Sequence, residues 1–218
     1  EEGGKNLNEE RFLAAQLKRN KLDIKFNYSK ITNLKAGRDL VSQIQNYQND
    51  DLFVVVYNFV DMISHAKTDM EIIKELASDN KAFRSLTLSW FKNSPLLEVI
   101  QKAAALGYNL VITTDHGTVN VDQPVEIIGT RETSMNLRYK TGQSMSYNPK
   151  DVLEILDPAK LKLPTPHLNS KFIFAKEQRY FVYQNNFNHF ANHFRNTYQH
   201  GGISMDEMII PFIAMRPR

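Results

Sequence analysis

The sequence contains no cysteine and a single tryptophan, and no apolar run in it approaches the ~20 residues that a membrane-spanning helix needs. The absence of cysteine excludes disulfide bonds and thiolate ligands, so any bound metal would have to use His, Asp or Glu. An excess of one charge is also lacking, since 27 basic and 24 acidic residues give a net charge of only +3. That imbalance is too small to indicate nucleic acid or a membrane surface as a partner, and a cytoplasmic location is expected.

What the chain does contain is the composition of an ordinary globular domain. It has 218 residues, of which 42% are apolar and 23% are charged. This is enough for one domain, 1–218, with a core of its own. The chain begins with Glu-Glu-Gly-Gly rather than Met, which predicts a piece of a longer protein that lacks its N-terminal part.

Helix and strand patterns alternate in the first half of the chain. Apolar residues recur at helical spacing in 8–20, 34–47 and 69–105, with a break near Pro95. Strand patterns alternate with them, at 22–26, 52–60 and 109–113, and the last two are apolar enough for buried parallel strands. This order predicts an α/β fold with a mainly parallel sheet sandwiched between helices.

The second half of the chain is less regular. Four prolines mark a long irregular insertion within 118–168. After it, 171–175 and 179–183 predict a β-hairpin, 185–196 predicts a helix and 208–214 predicts a last strand.

Three loops at predicted strand ends carry residues that suit a metal. Ligands of open α/β sheets bind beyond the carboxyl ends of the strands, and carboxylate and imidazole are both ligands that zinc accepts. Each loop has a simpler explanation when taken alone. Asp61 and His65 could be a surface coincidence, Asp115-His116-Gly117 a polar turn, and His200-Gly-Gly a turn with a capping histidine. Their occurrence at three strand ends favours a metal site made by Asp61, His65, Asp115, His116 and His200.

The sequence motifs around these residues resemble those of a known family. The set Asp-x-x-x-His, Asp-His-Gly and His-Gly-Gly is similar to the two-metal core of the alkaline phosphatase superfamily. The segments YNFVDMISHA, ITTDHGTV and RNTYQHGGISMDEMIIPF look like PglZ domains, most of all the output domain of PorX-type response regulators. The resemblance implies an alkaline phosphatase-like fold with two divalent ions, expected to be zinc. It assigns Asp61, His65 and His200 to the first ion, and Asp115 and His116 to the second.

The resemblance also implies a function. It points to a phosphoester hydrolase, more specifically a phosphodiesterase on nucleotide-type substrates such as an oligonucleotide or a cyclic nucleotide. The domain would be the output module of a two-component response regulator that controls type IX secretion. A homodimer and secretion-system or sigma-factor partners are further expectations from the family. The catalytic nucleophile is expected upstream of Glu1, so the chain by itself is expected to be inactive.

Other interpretations stay open. One is a catalytically silent signalling module that retains its metal site and acts by binding a partner, and another is a relative of phosphomonoesterases or sulfatases. A polar cluster after the Asp-His strand is a candidate for phosphate contact, with a solvated basic loop as the alternative. Its members are Arg131, Asn136, Arg138, Tyr139 and Lys140, of which Arg131, Asn136 and Arg138 are the predicted substrate-binding residues.

Overall fold

The structure, a computed structural model, describes residues 8–77, 79–130, 133–165 and 169–217, except for the side chains of Asp61, His65 and Glu71. The α-helices among these residues are α1 (Glu9–Arg19), α2 (Leu34–Gln43), α3 (Phe59–Asp69), α4 (Glu71–Leu76), α5 (Asn80–Lys92), α6 (Pro95–Ala105), α7 (Phe187–Phe194) and α8 (Met205–Met208). The strands are β1 (Phe26–Ile31), β2 (Leu52–Tyr57), β3 (Leu110–Thr113), β4 (Val119–Val121), β5 (Gln123–Gly129), β6 (Tyr139–Gly142), β7 (Met145–Ser146), β8 (Val152–Ile155), β9 (Lys171–Ala175), β10 (Arg179–Tyr183), β11 (Thr197–Gln199) and β12 (Phe212–Met215). In the part of the chain so described, no helix has both the length and the apolar character to cross a membrane.

The chain divides into two compact units. The first unit comprises Glu1–Val60, Arg84–Leu110 and Ala214–Arg218, and the second comprises Asp61–Phe83 and Val111–Ile213. All five residues proposed from the sequence as metal ligands belong to the second unit.

The first unit is built on a parallel pair of strands. β1 and β2 are in register from Phe26 beside Leu52 to Ile31 beside Tyr57. Their core also takes in residues of α2 and α6, which pack with the strands as amphipathic helices do. The buried members of this core are Ile31, Leu40, Ile44, Val99 and Ala103.

Glycine allows the close packing of α2 in this unit. A Cβ at Gly37 would lie 2.7 Å from the Tyr57 hydroxyl oxygen and 3.1 Å from Pro95 Cβ. The start of α2 is capped by Asn33, whose side chain accepts a hydrogen bond from the Ala36 amide at 2.9 Å. The helix therefore has a fixed start and a face that fits against the strand and α6.

The second unit consists of small sheets rather than one large sheet. β5 lies between β10 and β7, and β9 lies between β6 and β8. β4 pairs with β11 next to α7, and the core around this pair contains Val119, Val121 and Tyr180. β3 pairs with β12.

The predicted mainly parallel sheet is not confirmed, because the described strands form small sheets of mixed direction. Among the pairs whose direction is defined, β1–β2 and β5–β10 are parallel, whereas β4–β11, β5–β7, β6–β9 and β8–β9 are antiparallel. The mixed α/β content does agree with the sequence-based expectation. Alternation of helix and strand patterns shows which segments are strands but not which strands pair, and this limits the prediction.

The predicted hairpin is wrong. Both edges of β9 are taken by β6 and β8, so β10 pairs with β5 instead. The predicted irregular insertion supplies these partners, since β5, β6 and β8 all lie within it. Two neighbouring strand patterns joined by a short turn favour a hairpin, but longer-range pairing competes with it here.

The strand predicted for 52–60 also ends earlier than expected. β2 stops at Tyr57 and α3 begins at Phe59, so Asp61 lies in the first turn of a helix. The Phe59 ring stacks on Trp90, with centroids 3.5 Å apart. An apolar run has no period by which its strand part can be separated from its helix part. β2 is half-buried throughout and β3 is largely exposed, contrary to the fully buried strands predicted.

Candidate metal centre

The Asp115-His116-Gly117 loop directly follows β3. The Asp115 carboxylate oxygen Oδ1 lies 3.7 Å from His116 Nε2, and the Asp115 side chain is 86% exposed. His116 Nδ1 lies 3.0 Å from the Gly117 carbonyl oxygen. Because a carbonyl oxygen only accepts, Nδ1 is the donor in this contact, and Nε2 is the ring nitrogen on the side of Asp115. The loop thus presents a carboxylate and an imidazole nitrogen to the same space.

His200 comes from the loop after β11 and meets the first loop. Its ring stacks on that of His116, with centroids 4.0 Å apart and an angle of 12° between the planes. The two residues are far apart in sequence, and each sits beside glycine. The structure therefore places His200 beside His116, whose neighbour in the chain is Asp115.

The remaining two candidates, Asp61 and His65, occupy positions one turn apart in α3. Their side chains lie outside the described residues. A nearby contact links this helix to the strand that leads to His200, since Lys67 Nζ lies 4.8 Å from the centroid of the Tyr198 ring. Lys67 is two residues after His65, and Tyr198 is two residues before His200. α3 therefore runs next to the segment that carries His200.

The buried position of Lys67 was not foreseen from the sequence. Its side chain is 1% exposed, and among the described residues its Nζ has no hydrogen-bond partner. Desolvation by burial lowers the pKa of Lys67, while the charge of Asp79 acts in the opposite direction. A lysine in an amphipathic helix pattern is ordinarily exposed, so no signal in the sequence pointed to this contact.

The donor atoms suit a divalent cation. Two ligands of zinc, each at ~2.0–2.2 Å, are at most ~4.4 Å apart, and Asp115 Oδ1 and His116 Nε2 are within that limit at 3.7 Å. Within the described ranges, no group of three or more His, Asp or Glu residues converges as a metal site would. The side chains of Asp61 and His65, the other two predicted ligands, are not among those that the structure describes.

The three predicted substrate-binding residues differ in their surroundings. Arg131 lies outside the described residues. Asn136 is half-buried, and its Nδ2 would lie 2.9 Å from a Cβ placed on Gly201, directly after His200. Asn136 Oδ1 accepts hydrogen bonds from the amides of Arg138 and Tyr139 at 2.7 and 3.1 Å, so its side chain is held in place.

Arg138 is fully buried and faces away from solvent. Its Nε and Nη2 donate to the two carboxylate oxygens of Glu207, both at 2.9 Å, and Nη1 donates to the Arg179 carbonyl oxygen. With 0% exposure its guanidinium offers no contact to a substrate phosphate, contrary to the sequence-based expectation. The basic residues Arg138 and Lys140 are both buried, so the alternative of a solvated basic loop is also wrong for these two.

Glu207 is a residue that the sequence-based search for ligands missed. It is 3% exposed, and its carboxylate caps α8 through the Ser204 amide and hydroxyl. Burial by itself raises the pKa of a carboxyl group, but hydrogen bonds from Arg138 and Ser204, with the charge of Arg138, bring the pKa of Glu207 below its ordinary value. The signal that was present is the spacing Ser204-x-x-Glu207, the pattern of a capping box.

The chain is an alkaline phosphatase-like domain with mixed helices and sheets. A family model described as the BREX system PglZ alkaline phosphatase-like domain matches residues 1–215, and the chain belongs to this family. The search of curated proteins found no match. The PglZ part of the sequence-based identification is therefore confirmed, whereas the closer similarity to PorX-type regulators is not shown.

Proposed function

We propose that this domain is a divalent-metal-dependent phosphoester hydrolase. Two things support the proposal: the chain belongs to an alkaline phosphatase-like family, and the rings of His116 and His200, from separate loops, stack at 4.0 Å beside the Asp115 carboxylate. The second of these carries the proposal, because it concerns this chain's own residues.

In the proposed centre, Asp61, His65 and His200 hold one cation, and Asp115 and His116 contribute to the second, with zinc as the expected metal. Bound cations of this kind lower the pKa of an attacking hydroxyl and neutralise charge on the phosphoryl oxygens. The Gly117 carbonyl fixes the proton of His116 on Nδ1, so that Nε2 is the ligand atom. Asn136, fixed beside Gly201, is the described side chain best placed to orient a substrate oxygen.

The finer parts of the proposal concern substrate and context. We propose phosphodiesters of the nucleotide type as substrates, and a role as the output domain of a response regulator for type IX secretion. These rest on the resemblance of the sequence motifs alone. A silent signalling module that retains the metal is the competing function, and it differs from the enzyme in having no turnover.

Metal binding tests the centre directly. Calorimetric titration of the full chain with Zn²⁺ is expected to show binding that His116→Ala and His200→Ala each weaken at least tenfold. His189→Ala is the matched control, because His189 is an exposed histidine of α7 and its removal is expected to leave the affinity unchanged. Binding that is equally strong in all four proteins would refute the centre.

Turnover tests the reaction. The protein in its natural length, loaded with zinc, is expected to hydrolyse bis-p-nitrophenyl phosphate faster than p-nitrophenyl phosphate, and His65→Ala or His116→Ala is expected to abolish the activity. Faster turnover of the monoester would point to a phosphomonoesterase. Metal binding without turnover of either compound would support the signalling module instead.

A further inference from the structure

The Glu207 carboxylate holds the loop that carries His200. Its Oε1 accepts hydrogen bonds from the Gly202 amide and Arg138 Nε, both at 2.9 Å. Its Oε2 accepts from Arg138 Nη2 at 2.9 Å, from the Ser204 amide at 3.1 Å and from the Ser204 hydroxyl at 2.7 Å. Both oxygens are thus occupied by donors within the protein, and Glu207 has no oxygen free to bind a metal itself.

The main chain of the same residue holds the other loop. The Gly117 amide, next to His116, donates to the Glu207 carbonyl oxygen at 2.8 Å. The approach is so close that a Cβ on Gly117 would collide with the carbonyl oxygen of Asp206. The Asp115-His116-Gly117 loop is therefore docked on the α8 backbone, and only glycine fits at position 117.

Glu207 consequently sets the separation of the two loops. Its side chain reaches the residues after His200, and its carbonyl reaches the residue after His116. Neither loop segment is part of a regular helix or strand. Ordering the two loops costs conformational entropy, and these contacts offset that cost. Arg138 neutralises the buried carboxylate, which allows Glu207 to stay ionised where water is excluded.

We propose that Glu207, paired with Arg138, is a positioning residue that fixes His116 and His200 at the spacing required for divalent-cation binding. The inference rests on the proposed metal centre and extends it to residues that do not touch the metal. Mutation of groups that orient metal ligands in this way typically lowers the metal affinity ten- to a hundredfold.

The test uses two variants that act through different atoms. Glu207→Gln replaces one acceptor oxygen with an amide donor that would face Arg138 and Ser204, and Gly117→Ala adds a methyl group against the Asp206 carbonyl. Each is expected to weaken Zn²⁺ binding by the full chain about ten- to a hundredfold in calorimetric titration. Each is also expected to change the visible absorption of bound Co²⁺, which reports ligand geometry and not overall stability.

Glu154→Gln is the matched control, since Glu154 also forms an ion pair, with Lys171 Nζ at 3.0 Å, but touches neither loop. It is expected to bind Zn²⁺ and Co²⁺ as the unchanged chain does. If Glu207→Gln fails to fold, Gly117→Ala and Ser204→Ala test the positioning role in its place, because both leave the buried ion pair of Arg138 and Glu207 intact.

The outcomes separate the two proposals. If the unchanged chain binds neither cation, the metal centre is refuted, and the positioning role with it. If it binds and the folded variants bind within about twofold of it with the same Co²⁺ spectrum, only the positioning role is overturned.

Discussion

The ammonium group of Lys140 lies 4.3 Å from the centroid of the Tyr183 ring, in a buried part of the second unit. Lys140 is 1% exposed, and its Nζ donates to the Ser134 carbonyl oxygen at 2.9 Å. Desolvation lowers the pKa of Lys140 to about 8. An unfolded lysine has a pKa near ~10.4, so between these two values the unfolded chain binds more protons than the folded protein does.

The free energy of unfolding is therefore expected to rise with pH through this window because of Lys140. Below about pH 8 the cost of the buried charge is fully present, and above it the folded protein releases the proton. Urea unfolding from about pH 7.5 to about pH 9.5 is expected to show a rise of about 1–2 kcal/mol that Lys140→Met lacks. Lys160→Met, at an exposed position, should keep the slope of the unchanged chain. An equal slope in all three proteins would contradict the assignment to Lys140.

Close packing at Gly37 predicts a second effect on stability. Gly37→Ala places a methyl group against the Tyr57 hydroxyl and Pro95, and overpacking of this kind costs about 1–3 kcal/mol. In a Tyr57→Phe background the nearest clash is absent. Alanine gains about 1 kcal/mol over glycine within a helix, and this gain then offsets more of the overpacking cost of Gly37→Ala. Denaturant unfolding of the two single variants and the double variant measures this coupling. If Gly37→Ala costs the same in both backgrounds, the clash with Tyr57 is not its cause.

The buried ion pair predicts a third effect. Arg138→Met leaves the Glu207 carboxylate buried without its cation and is expected to destabilise the protein by about 3–5 kcal/mol. Adding Glu207→Gln removes the unpaired charge, so the double variant is expected to be more stable than Arg138→Met alone. Chemical unfolding of both variants gives the comparison.

The exposed pair of Lys160 and Asp157, at 3.2 Å, is the control for this prediction. Lys160→Met should cost less than about 1 kcal/mol, because a solvated ion pair contributes little. A loss on Arg138→Met no larger than on Lys160→Met would show that the buried pair does not stabilise the fold.

The sequence by itself determined which residue types could do chemistry here and where several elements lie. Helix α1, the end of α6 before Gly107 and the pair Asp115-His116 after a strand were all predicted from local patterns, and the structure places them so. Local patterns suffice in these cases because helix periodicity, the left-handed conformation of Gly107 and residue identity depend on neighbours in the chain. Membership of the PglZ family was likewise predicted from the sequence motifs and is confirmed.

Only the tertiary structure decided which strands pair, where β2 gives way to a helix, and what Arg138 and Glu207 do. Pairing of β10 with β5 instead of β9 depends on partners distant in sequence, and a strand pattern carries no information about its partner. A basic residue in a loop is usually solvated, but Arg138 has a carboxylate from α8 beside it and water is excluded there. The sequence thus identified the candidate ligands, whereas contacts between distant segments brought His116 and His200 together.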